Sequence, residues 1–296
     1  MMQDPNIGSY FREIRKRRNL RIEEIRGNLH QSTISHFERD HDDITLRNLL
    51  QILEPTFTTP EEFCLLVDDQ DSSINSILKK ISEHYDKLDI DGLKHFLAVF
   101  KRSNAMTLPV RLIILIVQSY LNELSGENLL LSNEDCDYVQ DYLLQSGKWF
   151  SFEYIVFGNL AQSLPASVNL RLWKKMLTSF DEFHLPTYDD LLVNILYNVS
   201  ASFLSQNDLA SATYLTESLD LSKLDHYVLH VRHHVVFLKL LLKYRQDPKD
   251  LQNIDRFRTF LLGTQMVDET LFDKNIDALK ALDVGIDVIL SPESGV

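Results

Sequence analysis

IGSYFREIRKRRNLRIEEIRGNLHQSTISHFERDHDDITLRNLL, residues 7–50, decides how this chain is read. Ile7, Phe11 and Ile14 recur at spacings of four and three, which lays one apolar stripe along a helix over 7–18. Asn19-Leu20 breaks it. A short second helix over 21–26 turns Ile22 and Ile25 inward. Gly27-Asn28 then forms a turn in which either residue takes a positive φ at low cost. A third helix over 31–39 buries Ile34 and Phe37, and Asp40 stands where it must stop. Ile44, Leu46, Leu49, Leu50 and Leu53 give a fourth helix that closes the bundle. Two short helices joined by such a turn are the arrangement that lays the second of them in the DNA major groove. The alternative is a plain helical fragment with a solvated basic face.

Charge distribution bears on that choice. The chain of 296 residues carries a formal net charge of −13, which by itself opposes contact with phosphates. Residues 10–26, however, hold Arg12, Arg15, Lys16, Arg17, Arg18, Arg21 and Arg26 against only Glu13, Glu23 and Glu24. A small basic face attached to a larger acidic body resolves the conflict. At 44% hydrophobic and 25% charged the chain is globular rather than disordered. Its two cysteines, Cys64 and Cys136, make neither a disulfide framework nor a metal cluster, and fit small apolar roles in a reducing, cytoplasmic setting. No basic stretch followed by an apolar run opens the sequence, so no signal peptide is expected, and the apolar stretch 108–121 contains Arg111 and Gln118, so it reads as a buried helix rather than a membrane span.

From Ile74 onward only helical patterns appear, over 74–86, 90–102, 108–125, 132–145, 151–163, 167–182, 187–205, 208–221, 225–245, 251–262, 265–272 and 275–289. Turn material over 55–73, including Thr59-Pro60-Glu61-Glu62 and Asp71-Ser72-Ser73, separates this body from the first unit. Helices rich in aromatic and aliphatic residues centre near 117, 157, 198 and 237, roughly 40 residues apart. In 195–221, Ala201 and Ala212 mark tight helix contact, with Leu204, Leu209 and Tyr214 filling in. An irregular bundle or a tetratricopeptide-like helical array both fit this spacing.

Polar residues inside apolar helices are candidates for a ligand. Asn159, and Asn194 and Asn198 one turn apart with Tyr197 beside them, can each pair with a peptide backbone. Arg232, His233 and His234 could meet a carboxylate. Each could equally be an interhelical bond or a surface residue. There is no phosphate-binding loop, dinucleotide fingerprint, GxSxG or HExxH, so no enzyme is expected. His230 and His234 share a helix face without a third ligand, so neither metal nor cofactor is expected. Cys136 lies in an acidic run, SNEDCDYV, that disfavours its thiolate.

FREIRKRRNL, IEEI and STISHFERD resemble the Cro/C1-type (XRE) helix-turn-helix family over about 50 residues. Arg21 and His30 depart from it where a small polar capping residue is usual, as does Asp40 where Gly is usual. By position the resemblance makes Gln31, Ser32, Thr33 and His36 the base-reading set. It makes Arg12, Arg15, Lys16, Arg17 and Arg21 phosphate contacts, with Arg15 and Glu38 also bridging the first and third helices.

The whole chain further resembles the Rgg/GadR/MutR regulators of Gram-positive bacteria, strongly over 7–63 and by size and architecture beyond. That resemblance implies an all-α protein: a DNA-binding domain over 1–65, a linker over 66–73 and a tetratricopeptide-like domain over 74–296. It implies a cytoplasmic homodimer that binds promoter DNA and is modulated by a short hydrophobic signalling peptide held in a concave groove, as in quorum sensing. The apolar helices around Leu271–Leu290 are a candidate dimer surface. Other readings of the same build are a regulator answering to a small molecule or pH, and a non-catalytic protein-binding scaffold.

Overall fold

The structure, a computed structural model, describes residues 7–39, 41–67, 74–127, 130–183, 185–223 and 229–291. Among them only helices and turns occur. The chain divides into two compact units, 1–83 and 84–296.

The first unit holds α1 (Ile7–Arg17), α2 (Ile22–Ile25), α3 (Gln31–Phe37), α4 (Leu46–Leu53), α5 (Pro60–Val67) and most of α6 (Ile74–Asp86). Phe11, Ile25, Ile34, Phe37, Ile52, Leu53 and Phe63 form its core, with Ile7, Ile14, Ile22 and Leu49 packed around it. The expected stripe is thus the buried one. Gly27 takes φ +52°, and Asn19 does the same at +54°, so both inter-helix turns rest on a left-handed residue. Arg21 and His30 sit at the starts of α2 and α3 in extended backbone and give no side-chain cap. At α2 the Glu24 carboxylate supplies part of what is missing, accepting the Arg21 backbone N–H at 2.6 Å. Thr59 caps α5, accepting from the Glu62 N–H at 3.1 Å. Asp40 and the Asp71-Ser72-Ser73 break lie outside the described residues, as does most of the expected linker, whose Leu66 and Val67 belong to α5.

The second unit continues with α7 (Ile90–Ser103), α8 (Leu108–Leu124), α9 (Asn133–Gln145), α10 (Ser151–Leu160), α11 (Ala166–Glu182) and α12 (Asp189–Ser205). It ends with α13 (Leu209–Ser218), α14 (Leu229–Gln246), α15 (Leu251–Val267), α16 (Glu269–Ala281) and α17 (Ile286–Leu290). The helices α8, α10, α12 and α14 stand side by side in one row. They are the four that recur about every 40 residues in the sequence. Behind them α9 packs on α11, and α13 packs on α12 and α14. Trp149, Phe157, Trp173, Phe203, Phe237 and Phe257 are buried between the layers. Both indoles keep a partner: Trp149 donates to the Leu143 carbonyl at 3.1 Å and Trp173 to Ser218 Oγ at 2.9 Å.

Three details differ from the sequence reading. The breaks expected at 263–264 and at Lys274-Asn275 fall inside α15 and α16; the chain breaks instead at Asp268, whose carboxylate caps α16 by accepting from the Leu271 N–H at 2.9 Å. A second break follows at Asp283, which takes φ +52°. Tyr214, expected to fill the helix contact around Ala212, is exposed, with the Lys174 ammonium 5.7 Å over its ring. Burial, more than the neighbouring Asp137, raises the Cys136 thiol pKa.

One ion pair ties the first unit together. Arg15 Nε and Nη2 donate to the two Glu38 oxygens at 2.5 and 2.7 Å, and Nη1 donates to the Leu20 carbonyl at 2.6 Å. The Arg15 and Glu38 side chains are only 11% and 4% exposed. Removing one partner leaves a poorly solvated charge, at a cost of about 3 kcal/mol. Both tryptophans lie in the second unit, so the readout is amide hydrogen exchange. Glu38→Ala is expected to speed exchange in α1 and α3 while leaving α10 and α12 unchanged. Unaltered protection in α1 and α3 would contradict the bridge's structural weight.

Candidate functional site

The first unit presents a polar face. Ile34 and Phe37 anchor α3 from below, so Gln31, Ser32, Thr33 and His36 all lie exposed on its outer side. A helix fixed from one side by two apolar residues offers the other side rigidly. His36 Nδ1 lies 3.0 Å from Asp42 Oδ2, an orienting partner that the sequence reading missed. Arg12, Lys16, Arg17, Arg18 and Arg21 are exposed, and Arg17 pairs with Glu13 one turn earlier. Arg15 is different: Nε and both terminal nitrogens each donate inside the unit, which makes it chiefly a bridge.

The second unit holds a groove in front of α8, α10, α12 and α14. Two adjoining cavities make it up, of 770 and 630 Å³, and they share Asn194, Tyr197, Lys274, Ala278 and Ala281. Tyr120, Asn159, Asn198 and Phe237 line it from equivalent places on the four helices, each 39 residues after the last. The repeat therefore sets the lining. Tyr120 OH donates to Asn159 Oδ1, and Asn159 Nδ2 donates to the Ile155 carbonyl at 2.7 Å. Asn198 Nδ2 donates to the Gly158 carbonyl at 2.8 Å and to Asn194 Oδ1 at 3.1 Å, while its Oδ1 accepts from Gln162 Nε2 at 3.1 Å. An Asn amide has two donor hydrogens, and both of those on Asn198 are engaged. Among the described residues the Asn194 amide nitrogen and the Gln162 oxygen, both on side chains of groove-lining residues, have no hydrogen-bond partner.

Of the ligand candidates, Asn159, Asn194, Tyr197 and Asn198 are brought together here. Arg232 and His233 are not. They share α14 with groove residues but face another way: Arg232 donates to the Leu221 carbonyl at 3.0 Å. His233 Nε2 sits 3.0 Å from Thr264 Oγ1, its ring against Phe260. His234, the third candidate of that run, lines the groove together with His230. The His230 and His234 rings lie 4.5 Å apart, and His234 meets Tyr197 edge-on at 6.3 Å. Among the described residues no three His, Cys, Asp or Glu side chains are placed to hold a metal. Tyr85, Glu123, Gln162 and Lys274 also line the groove; apart from the repeat spacing that carries Glu123 to Gln162, nothing in the sequence marks them.

Burial raises the Tyr120 hydroxyl to about 12 and keeps it a donor. Burial pulls His234 down to about 4; His230, His233 and Lys274 add to this, and the hydrogen bond to the His230 carbonyl opposes it. A histidine whose folded pKa lies below its unfolded value binds its proton first in the unfolded chain. Stability is then lost as pH falls from about 6.5 toward 4. His234→Gln is expected to lessen that acid loss, measured by tryptophan fluorescence across this window; an unchanged pH profile would contradict it. By the same readout, Asn198→Ala strands the Gly158 carbonyl and the Gln162 amide and lowers stability by about 2 kcal/mol. An unshifted denaturation midpoint would show that the amide chain carries no stability.

Residues 11–63 match a helix-turn-helix family, and residues 93–275 match the family described as "HTH-type transcriptional regulator Rgg, C-terminal domain". There is no match among curated protein sequences. Solved structures share the fold at low identity. The Streptococcus dysgalactiae SHP pheromone receptor Rgg2 aligns with a TM-score of 0.76 and 19% identity, over 93% of this chain and 98% of that one. A putative transcriptional regulator from Listeria monocytogenes EGD-e aligns at 0.80 and 18%, over 95% and 98%. The PrgX/cCF10 complex aligns at 0.71 and 15%, over 94% and 92%. With the family's own domain covering more than half of its length behind a helix-turn-helix unit, the chain belongs to the Rgg family of transcriptional regulators.

Proposed function

We propose that this regulator binds promoter DNA through α3 and is controlled by a short peptide held in the groove of its second unit. The observation that carries the peptide is the groove itself. It is elongated over four repeated helices and lined by amides, with an open donor on Asn194 and an open acceptor on Gln162. Alternating donors and acceptors suit an extended backbone. Two of the fold relatives are described as a pheromone receptor and as a complex with cCF10, which supports the same reading.

Gln31, Ser32, Thr33 and His36 read base edges, with Asp42 orienting the His36 ring. Arg12, Lys16, Arg17 and Arg21 meet phosphates, while Arg15 holds the helices in register and adds only what its small exposed edge reaches. Asn159, Asn194, Tyr197 and Asn198 form the peptide floor. The protein works as a homodimer, because a small helix-turn-helix unit reads a two-fold site in pairs. Exposed Leu262, Met266, Val267 and Val288 on the C-terminal helices offer apolar surface for that pairing. Among the described residues no helix is long and apolar enough to cross a membrane. The regulator acts in the cytoplasm without catalysis.

Fluorescence anisotropy on the DNA upstream of its own gene tests this, with and without peptides encoded by neighbouring small reading frames. Binding is expected to be salt-sensitive and changed by peptide. Gln31→Ala or His36→Ala should weaken the cognate site more than random DNA, by about 1–3 kcal/mol. Asn194→Ala should remove the peptide response and leave DNA binding intact. Equal loss on both DNAs would remove the base-reading role, and an intact peptide response in Asn194→Ala would remove the groove.

A further inference from the structure

The groove's charge is lopsided. Asp86 and Glu123 line one cavity and Asp190, Asp268 and Asp277 the other, whereas among the described residues Lys274 is the only Lys or Arg lining either. Their local contacts do not discharge most of them. Glu123 accepts from the neutral Tyr85 hydroxyl at 2.6 Å, and Asp268 accepts a backbone N–H in capping α16. Among the described residues Asp277 alone of these has a cation, Lys280 at 3.1 Å, and both partners of that pair are largely exposed. A concave surface lined by one sign of charge concentrates field and selects the opposite sign.

A second feature points to an occupant. Asn275 is 4% exposed and lines the same cavity, yet its amide nitrogen has no hydrogen-bond partner. A buried donor without an acceptor is unfavourable, so an acceptor arriving with a ligand stabilises it. Peptide carbonyls are such acceptors, and a simple cation offers none. The open Asn194 amide one helix away asks for the same group.

Resting on the peptide reading above, we infer that the groove selects a cationic peptide, one whose amino terminus and basic side chains outweigh its acidic ones. Its backbone carbonyls meet Asn194 and Asn275, and its ammonium or guanidinium groups face the Asp and Glu side chains. Lys274, lying where the two cavities join, takes the carboxyl terminus.

Equilibrium dialysis of the full-length protein against pools of free-ended peptides, about eight residues long, tests this. The pools share randomised apolar positions and differ in fixed positions that are Lys, Gln or Glu. At low salt the Lys pool is expected to be retained about tenfold over the Glu pool, with the excess shrinking at high salt. The paired substitution Glu123→Gln and Asp190→Asn should remove most of that excess in a protein that still binds DNA. Equal retention of all pools, or a preference for Glu, overturns the charge inference and leaves the peptide reading standing. Retention of no pool by DNA-binding protein overturns both.

Discussion

The groove depends on one close approach, where α10 meets α12 at Gly158. A Cβ there would lie 2.9 Å from the Asn194 amide nitrogen and 3.2 Å from Ile195 Cγ1. Without a side chain at 158, the Gly158 carbonyl comes within 2.8 Å of Asn198 Nδ2. That contact holds Asn198, which holds Gln162 and Asn194, and so fixes which amide atoms stay open to the cavity. Low polarity around the row makes each link costly to lose, and so makes the chain of amides specific as well as stabilising. A polar groove surface is thereby built from interhelical bonds rather than from loops.

The two units handle charge in opposite ways. In the first, Arg15 is drawn inward and neutralised by Glu38, while its neighbours Arg12, Lys16 and Arg17 stay in solvent. One cation of the run maintains the fold and the others remain for an anionic partner. In the second, acidic side chains collect around a groove where Lys274 is the one lining lysine among the described residues. The net charge of −13 describes neither surface. A basic helical face and an acidic groove in one chain suit two ligands of opposite sign.

The fold was legible wherever periodicity and burial agree. Ile7, Phe11 and Ile14 announce α1, and the roughly 40-residue recurrence of aromatic helices marks the row that lines the groove. Asn159, Asn194 and Asn198 stood out because an amide within an apolar helix needs a partner, and the structure shows that Asn198 finds its partners within the row. Where two residue types alternate on one helix, sequence gave no azimuth. Of Arg232, His233 and His234 only the last lines the groove, since a rotation of about 100° per residue separates neighbours. The α15–α16 junction was missed because Asp268 acts as a cap, whereas Lys274-Asn275 only looks like a break. Tyr85 comes to the groove through tertiary packing against Tyr120, at 4.8 Å between rings, which no local pattern records.

Hydrogen exchange of the full-length protein, with and without the peptides encoded beside its gene, tests the ligand groove most directly. Peptide bound there slows exchange in α10, α12 and α16, and Asn194→Ala abolishes the slowing. Protection confined to α1–α5, or no protection at a peptide concentration that alters DNA binding, would contradict a groove that holds the signal.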